Sequence, residues 1–152
     1  MARVPARAAP VDDENRLMNE WLEADVLREV EAAWNAAARD WNVQAFGALY
    51  APDALFFGGR KGQSVGEAGI LAYFASYRGV IESATLALTG QRFIRLARDC
   101  FLAQGYGEFT FSLAGNRTSK SRLRTTLVIV SIGGAWRIRQ HHFSTEPESP
   151  PI

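Results

Sequence analysis

Residues 121–144 read SRLRTTLVIVSIGGAWRIRQHHFS, two extended segments rich in Val, Ile and Thr joined by Gly133–Gly134. A two-residue glycine loop between such runs is a β-hairpin signal. In the first run Leu123, Thr125, Leu127 and Ile129 form one alternating set and Val128, Val130 and Ile132 the other, so apolar residues occupy both. A strand wetted on one face should alternate apolar and polar. Both faces of this strand are therefore expected to be covered, one by helices and the other by a second copy of the chain. This predicts a homodimer or larger ring built through the sheet; a monomer in light scattering at micromolar concentration would remove that expectation.

Working backwards, IESATLALT (81–89), QRFIRLAR (91–98) and CFLAQGYGEFTFSL (100–113) have the same character. The breaks between all these segments, TG, RD, AGNRTSK and GG, read as hairpin turns. Before Gly79 the pattern is helical. Leu22, Val26, Val30, Ala33, Trp34, Ala37 and Trp41 recur at spacings of three and four, which predicts a helix from about Asn19 to Trp41. Glu23, Arg28, Glu31 and Arg39 would form its solvated side. A shorter helix over Val43–Tyr50 is stopped by Pro52, and DALFF (53–57) reads as a short strand. In SVGEAGILAYFASY (64–77) Ser64 stands three residues before Glu67, the spacing of a capping box. Helices first and a strand meander afterwards make an α+β arrangement, helices on one face of a curved, mostly antiparallel sheet.

The 152 residues suit a single domain, expected over 19–147, with an arm at 1–18 and a Pro-rich tail at 148–152. Seventeen basic against sixteen acidic side chains, interspersed, give no basic stripe for nucleic acid. No apolar run is long enough for a membrane span. The first fifteen residues lack the apolar core of a signal peptide, so a cytoplasmic location is expected. The lone Cys100 excludes an intrachain disulfide.

Both histidines are adjacent, His141 and His142. Strict alternation places Trp136, Ile138, Gln140 and His142 on one face and Arg137, Arg139, His141 and Phe143 on the other. The face with Trp136 and Ile138 should be the buried one, so His142 is expected to point towards the helices and His141 away. Neighbours on a strand do not converge on one ion, and two histidines with one cysteine are too few for a closed zinc site. No metal and no cofactor are expected.

The order helix, short helix, LYAPDALFF, a third helix ending in YF, and a meander closing on W-R-I-R-Q-H-H-F-S-T-E-P resembles the nuclear-transport-factor-2-like superfamily over roughly Val26 to Pro147. Within it the chain is similar to bacterial relatives of the calcium/calmodulin-dependent protein kinase II association domain, grouped with SnoaL-like proteins. The resemblance implies a cone-shaped α+β fold enclosing a pocket, and association into dimers or rings. It also implies that Arg124 and His142 line the pocket, with Ser144 matching the motif's second serine.

A desolvated guanidinium needs a carboxylate or a bound anion. Arg124 is therefore read either as paired with Glu108 on the neighbouring strand or as holding a small anionic, carboxylate-type ligand. Tyr50 and Tyr73, whose hydroxyls need partners, are further candidates for the pocket. A cofactor-free isomerase, hydratase or cyclase is the alternative, with His142 or Glu108 as general base. Metal-free carbonic anhydrase chemistry is a third implication, although Phe143 stands where those relatives carry serine and Gly107 where they carry tyrosine.

Overall fold

The computed structural model describes residues 21–152. The arm expected at 1–18 and the helix start expected at Asn19 lie outside these residues. Among the described residues three helices precede or interrupt the strands: α1 (Glu23–Ala38), α2 (Val43–Leu49) and α3 (Gly66–Ala75). The strands are β1 (Tyr50–Phe57), β2 (Ser64–Val65), β3 (Ile81–Ala97), β4 (Cys100–Leu113), β5 (Arg117–Ile132) and β6 (Ala135–Ser144). Among the described residues they form one six-stranded sheet in the order β2-β1-β6-β5-β4-β3. All pairs are antiparallel except β1 with β6. The helices cover one face, as α+β patterning requires, and the expected fold class stands.

Helix α1 buries Val26, Leu27, Val30, Trp34 and Ala37, the face its three–four spacing prescribes. Three residues beyond its end Trp41 takes a left-handed φ of 50°. The cost of order 1 kcal/mol for a non-glycine residue there is offset by a buried indole whose Nε1–H donates to the Phe74 carbonyl at 2.9 Å. Asn42 then caps α2, its side-chain oxygen accepting from the Ala45 N–H at 3.0 Å. The supposedly solvated side of α1 is partly engaged: Glu31 accepts from the Leu88 N–H at 2.6 Å, and Asn35 both accepts from and donates to the backbone of Leu86. These side chains occupy three backbone groups of the edge strand β3, at Leu86 and Leu88.

Three local readings are corrected. The TG break is not a hairpin: 81–97 is one long strand in which Gly90, at φ 59°, and Gln91 form a bulge opposite Gly105. A left-handed glycine followed by an extra residue bends a strand without ending it. The Ser64–Glu67 capping box does not form, because Ser64 and Val65 pair with Phe56 and Leu55 as a short strand and Val65 becomes the cap. Gly69 packs closely there, since a Cβ would stand 3.3 Å from the Ser64 carbonyl carbon. The third correction concerns β6. Ile129 pairs with Ile138 and Val128 with Gln140, so Arg139 is an extra, bulged residue. Opposite it β1 is irregular between Tyr50 and Leu55, and Asp53 from that stretch pairs with Arg139 at 2.7 Å.

Candidate functional site

The bend of the sheet, α1, the turn after it and α3 border a cavity of about 340 Å³, within the usual range for small-molecule sites. Its helical wall carries Trp34 from α1, Trp41 from the turn, and Tyr73, Phe74 and Tyr77 from α3 and its end. The sheet contributes Phe109 and Phe111 from β4, Leu123 with Ser119 and Ser121 from β5, and Phe143 from β6. The wall is mainly aromatic, and its side-chain polarity comes from the hydroxyls of Tyr73, Tyr77, Ser119 and Ser121 and the indole N–H groups. Tyr73 Oη accepts from the Gly59 N–H at 2.8 Å, and burial pushes its phenol well above the ordinary value. The loop after β1 is pinned further by Arg60, which donates to Ser76 and lies 4.1 Å from the centre of the Tyr77 ring. Among the described residues no Asp, Glu, His, Lys or Arg lines this space.

The residues selected from sequence do not share one pocket. Arg124, His142 and Ser144 do come together, but on the outer face of the sheet, where Arg124 faces Ser144 and Thr126 faces His142 across β5 and β6. With Arg92, Gln104 and Tyr106 they line an open groove of about 640 Å³, and Arg124 donates to Ser144 Oγ at 3.2 Å. His142 is exposed, its ring 5.3 Å from that of Phe57. Its expected direction towards the helices is corrected by the Arg139 bulge, which shifts the alternation by one residue. Glu108 is also exposed on the outer face. The Arg124–Glu108 pair does not form, because Tyr106 sits opposite Arg124 while Glu108 sits opposite Arg122. Arg122 instead pairs with Glu146 at 2.7 Å and stacks over Tyr106 at 3.7 Å. Tyr50 and Tyr73 are on the inner side, Tyr73 in the cavity wall and Tyr50 beneath it.

The bulge also turns inwards a residue that sequence reasoning placed outside. His141 is 1% exposed, and its Nδ1 lies 3.0 Å from Tyr50 Oη. Desolvation, with the charge of His142 second, lowers its pKa to about 3, so the imidazole is neutral. Burial likewise raises the Tyr50 phenol far above its usual value, a nearby Trp34 N–H acting in the opposite sense. His141 Nε2 and Thr125 Oγ1 are buried without a hydrogen-bond partner. A signal for this inversion was present: Trp136 and Ile138 are even-numbered whereas Phe143 is odd. Three large apolar residues that change phase within one strand imply an inserted residue between them. Among the described residues no three His, Cys, Asp or Glu side chains cluster as a metal site, and no helix is long and apolar enough to cross a membrane.

Comparison with solved structures gives the same fold. A Xanthomonas campestris protein named for a calcium/calmodulin-dependent protein kinase II association domain superposes with a TM-score of 0.75 at 24% identity, over 98% of this chain and 99% of that one. A Novosphingobium aromaticivorans protein named for scytalone dehydratase gives 0.73 at 9% identity, over 89% and 88%. A nuclear-transport-factor-2-like superfamily protein from Salmonella enterica gives 0.68 at 16% identity, over 91% and 96%. No curated protein matches the chain. The SnoaL-like domain family matches residues 27–147, and with the cone of helices on a bent sheet this settles the family: the chain belongs to the SnoaL-like domain family.

Proposed function

We propose that this chain binds a small, flat, uncharged molecule inside the cone, as a cofactor-free member of its family. The observation that carries this reading is the aromatic cavity of about 340 Å³ whose wall, among the described residues, contains hydroxyls but no charged side chain. Transferring a carboxylate into such a wall without a partner is costly, so a neutral ligand fits it better than the anion expected from sequence. His142 and Glu108, the general bases expected from sequence, stand on the other side of the sheet from this cavity.

A thermal-shift series tests this with fused-ring hydrocarbons and ketones of two or three rings. At a hundred times its dissociation constant a ligand adds about 2.7 kcal/mol, a rise of roughly 5–10 °C for a domain of this size. Leu123→Trp, which fills the cavity, is expected to abolish the rise. Shifts that persist in this variant, or no shift with any member of the series, would overturn the reading.

A second reading concerns the outer groove. Arg92, Arg124 and His142 line it with no acidic side chain among the groove residues, which suits a small anion held by guanidinium groups. Phosphate or acetate is expected to raise the melting temperature by a degree or more in the parent and not in Arg124→Ala; equal shifts in both would remove this site. The same outer face, with half-buried Leu102 and Val128 and exposed Ile94, is also where the proposed second copy would pack.

A further inference from the structure

Among the buried side chains, His141 Nε2 and Thr125 Oγ1 stand out, because buried polar atoms in folded proteins are almost always hydrogen-bonded. They lie on one face of adjacent strands. Thr125 is paired with Phe143 and Leu127 with His141, so the two polar residues are diagonal neighbours. Only one layer separates them from the cavity. Phe143 lines the cavity and packs against the His141 ring at a centroid distance of 5.0 Å. Phe74, also in the wall, adjoins Tyr50, the partner of His141, at a centroid distance of 5.9 Å.

His141 Nδ1 lies 3.0 Å from Tyr50 Oη, so one of the two groups donates across that contact. When the phenol is the donor, the imidazole proton sits on Nε2. The unpartnered histidine atom is then an N–H donor, and the threonine hydroxyl can be a second. Phe143 has space to move: it also borders an outward opening of about 480 Å³ beside Gly58 and Gly59. Turning the ring into that opening joins the two donors to the cavity.

We propose that His141 Nε2–H and Thr125 Oγ1–H form a buried two-donor site for one oxygen atom of the cavity ligand, reached when Phe143 swings aside. This rests on the cavity reading above and narrows its ligand class to flat molecules carrying a carbonyl oxygen. His141 is then a specificity residue, held in register by Tyr50. Because the imidazole stays neutral, it offers the oxygen a donor without a positive charge, which selects a ketone over a carboxylate.

A matched pair of probes tests the site: fluorenone, which carries the carbonyl, and fluorene, which lacks it. Binding is read by quenching of the cavity tryptophans, Trp34 and Trp41. Fluorenone is expected to bind the parent about tenfold more tightly than fluorene, with its carbonyl stretch shifted to lower frequency in the bound state. In His141→Phe and, independently, in Thr125→Val the preference should shrink severalfold while fluorene affinity holds. Thr125→Val keeps the shape of the core and serves where His141→Phe does not fold. Equal affinity of the two probes for the parent, or an unshifted carbonyl stretch, overturns the two-donor site while leaving the cavity reading intact. Failure of both probes to bind overturns the cavity reading and this inference with it.

Discussion

Phe46→Ala is expected to remove about 3–5 kcal/mol of stability, the range for deleting a buried aromatic side chain, which is a large part of the 5–15 kcal/mol a domain possesses. Phe46 is 0% exposed and stacks on Phe74 with ring centres 4.0 Å apart. Trp34 and Trp41 contact it edge-on at 5.3 and 4.8 Å. It therefore joins α1, the following turn and α3 through one ring. Its own helix has seven residues, too few to persist without tertiary contacts, so deletion also loosens the segment that delivers Tyr50 to His141. Guanidinium denaturation monitored by tryptophan fluorescence measures the loss. Leu22→Ala, at a side chain 61% exposed, is the control and should stay within about 0.5 kcal/mol. A loss below about 1.5 kcal/mol at Phe46 would mean that the aromatic cluster closes over the gap.

The second large effect is a dependence of stability on pH that resides in His141. Its folded pKa is about 3, against about 6.5 for a histidine in an unfolded chain. Below pH 6.5 the unfolded state binds a proton that the folded state refuses, so stability is complete above that value and declines as pH falls. Each unit costs about 1.4 kcal/mol, which gives a loss of about 2 kcal/mol between pH 8 and pH 5. Glu23, whose carboxyl is lowered mainly by its hydrogen bond to Arg95, works in the same direction but only at more acidic pH, below the usual carboxylate range. Urea melts of the parent and of His141→Phe at pH 8 and pH 5 isolate the effect. The variant is expected to lose about 2 kcal/mol less over this interval; identical pH dependence would show that the ring titrates normally.

How far these features could be read from the residues depends on whether a periodic pattern or a single inserted residue decides them. The buried face of α1, with Trp34 at its centre, follows from spacings of three and four, and the Gly133–Gly134 turn from two glycines at φ 58° and 80°. Bulges are different. One extra residue costs nothing in composition, yet it reverses every later assignment on its strand. Arg139 does so in β6, exchanging the places of His141 and His142, and the bulge at Gly90–Gln91 turns a predicted hairpin into one strand. Arg124 and His142, which the resemblance put in one pocket, line one groove, and the slip sets that groove on the outer face of the sheet, with His142 opposite Thr126. Glu108 missed its expected partner for a related reason, since the register of β4 on β5 sets Tyr106 opposite Arg124.

The grip of α1 on β3 has a consequence for the molecule's behaviour among its own copies. An edge strand ordinarily offers a ladder of free amides and carbonyls on which another extended chain can template. Here the Leu86 and Leu88 amides, and the Leu86 carbonyl, are already occupied by Asn35 and Glu31. A foreign strand arriving at that edge must displace a packed helix before it gains its first bond. Growth by strand addition, the route to fibrils, is therefore blocked at the centre of the longest strand, and contacts between copies are steered to side-chain surfaces, where association can saturate.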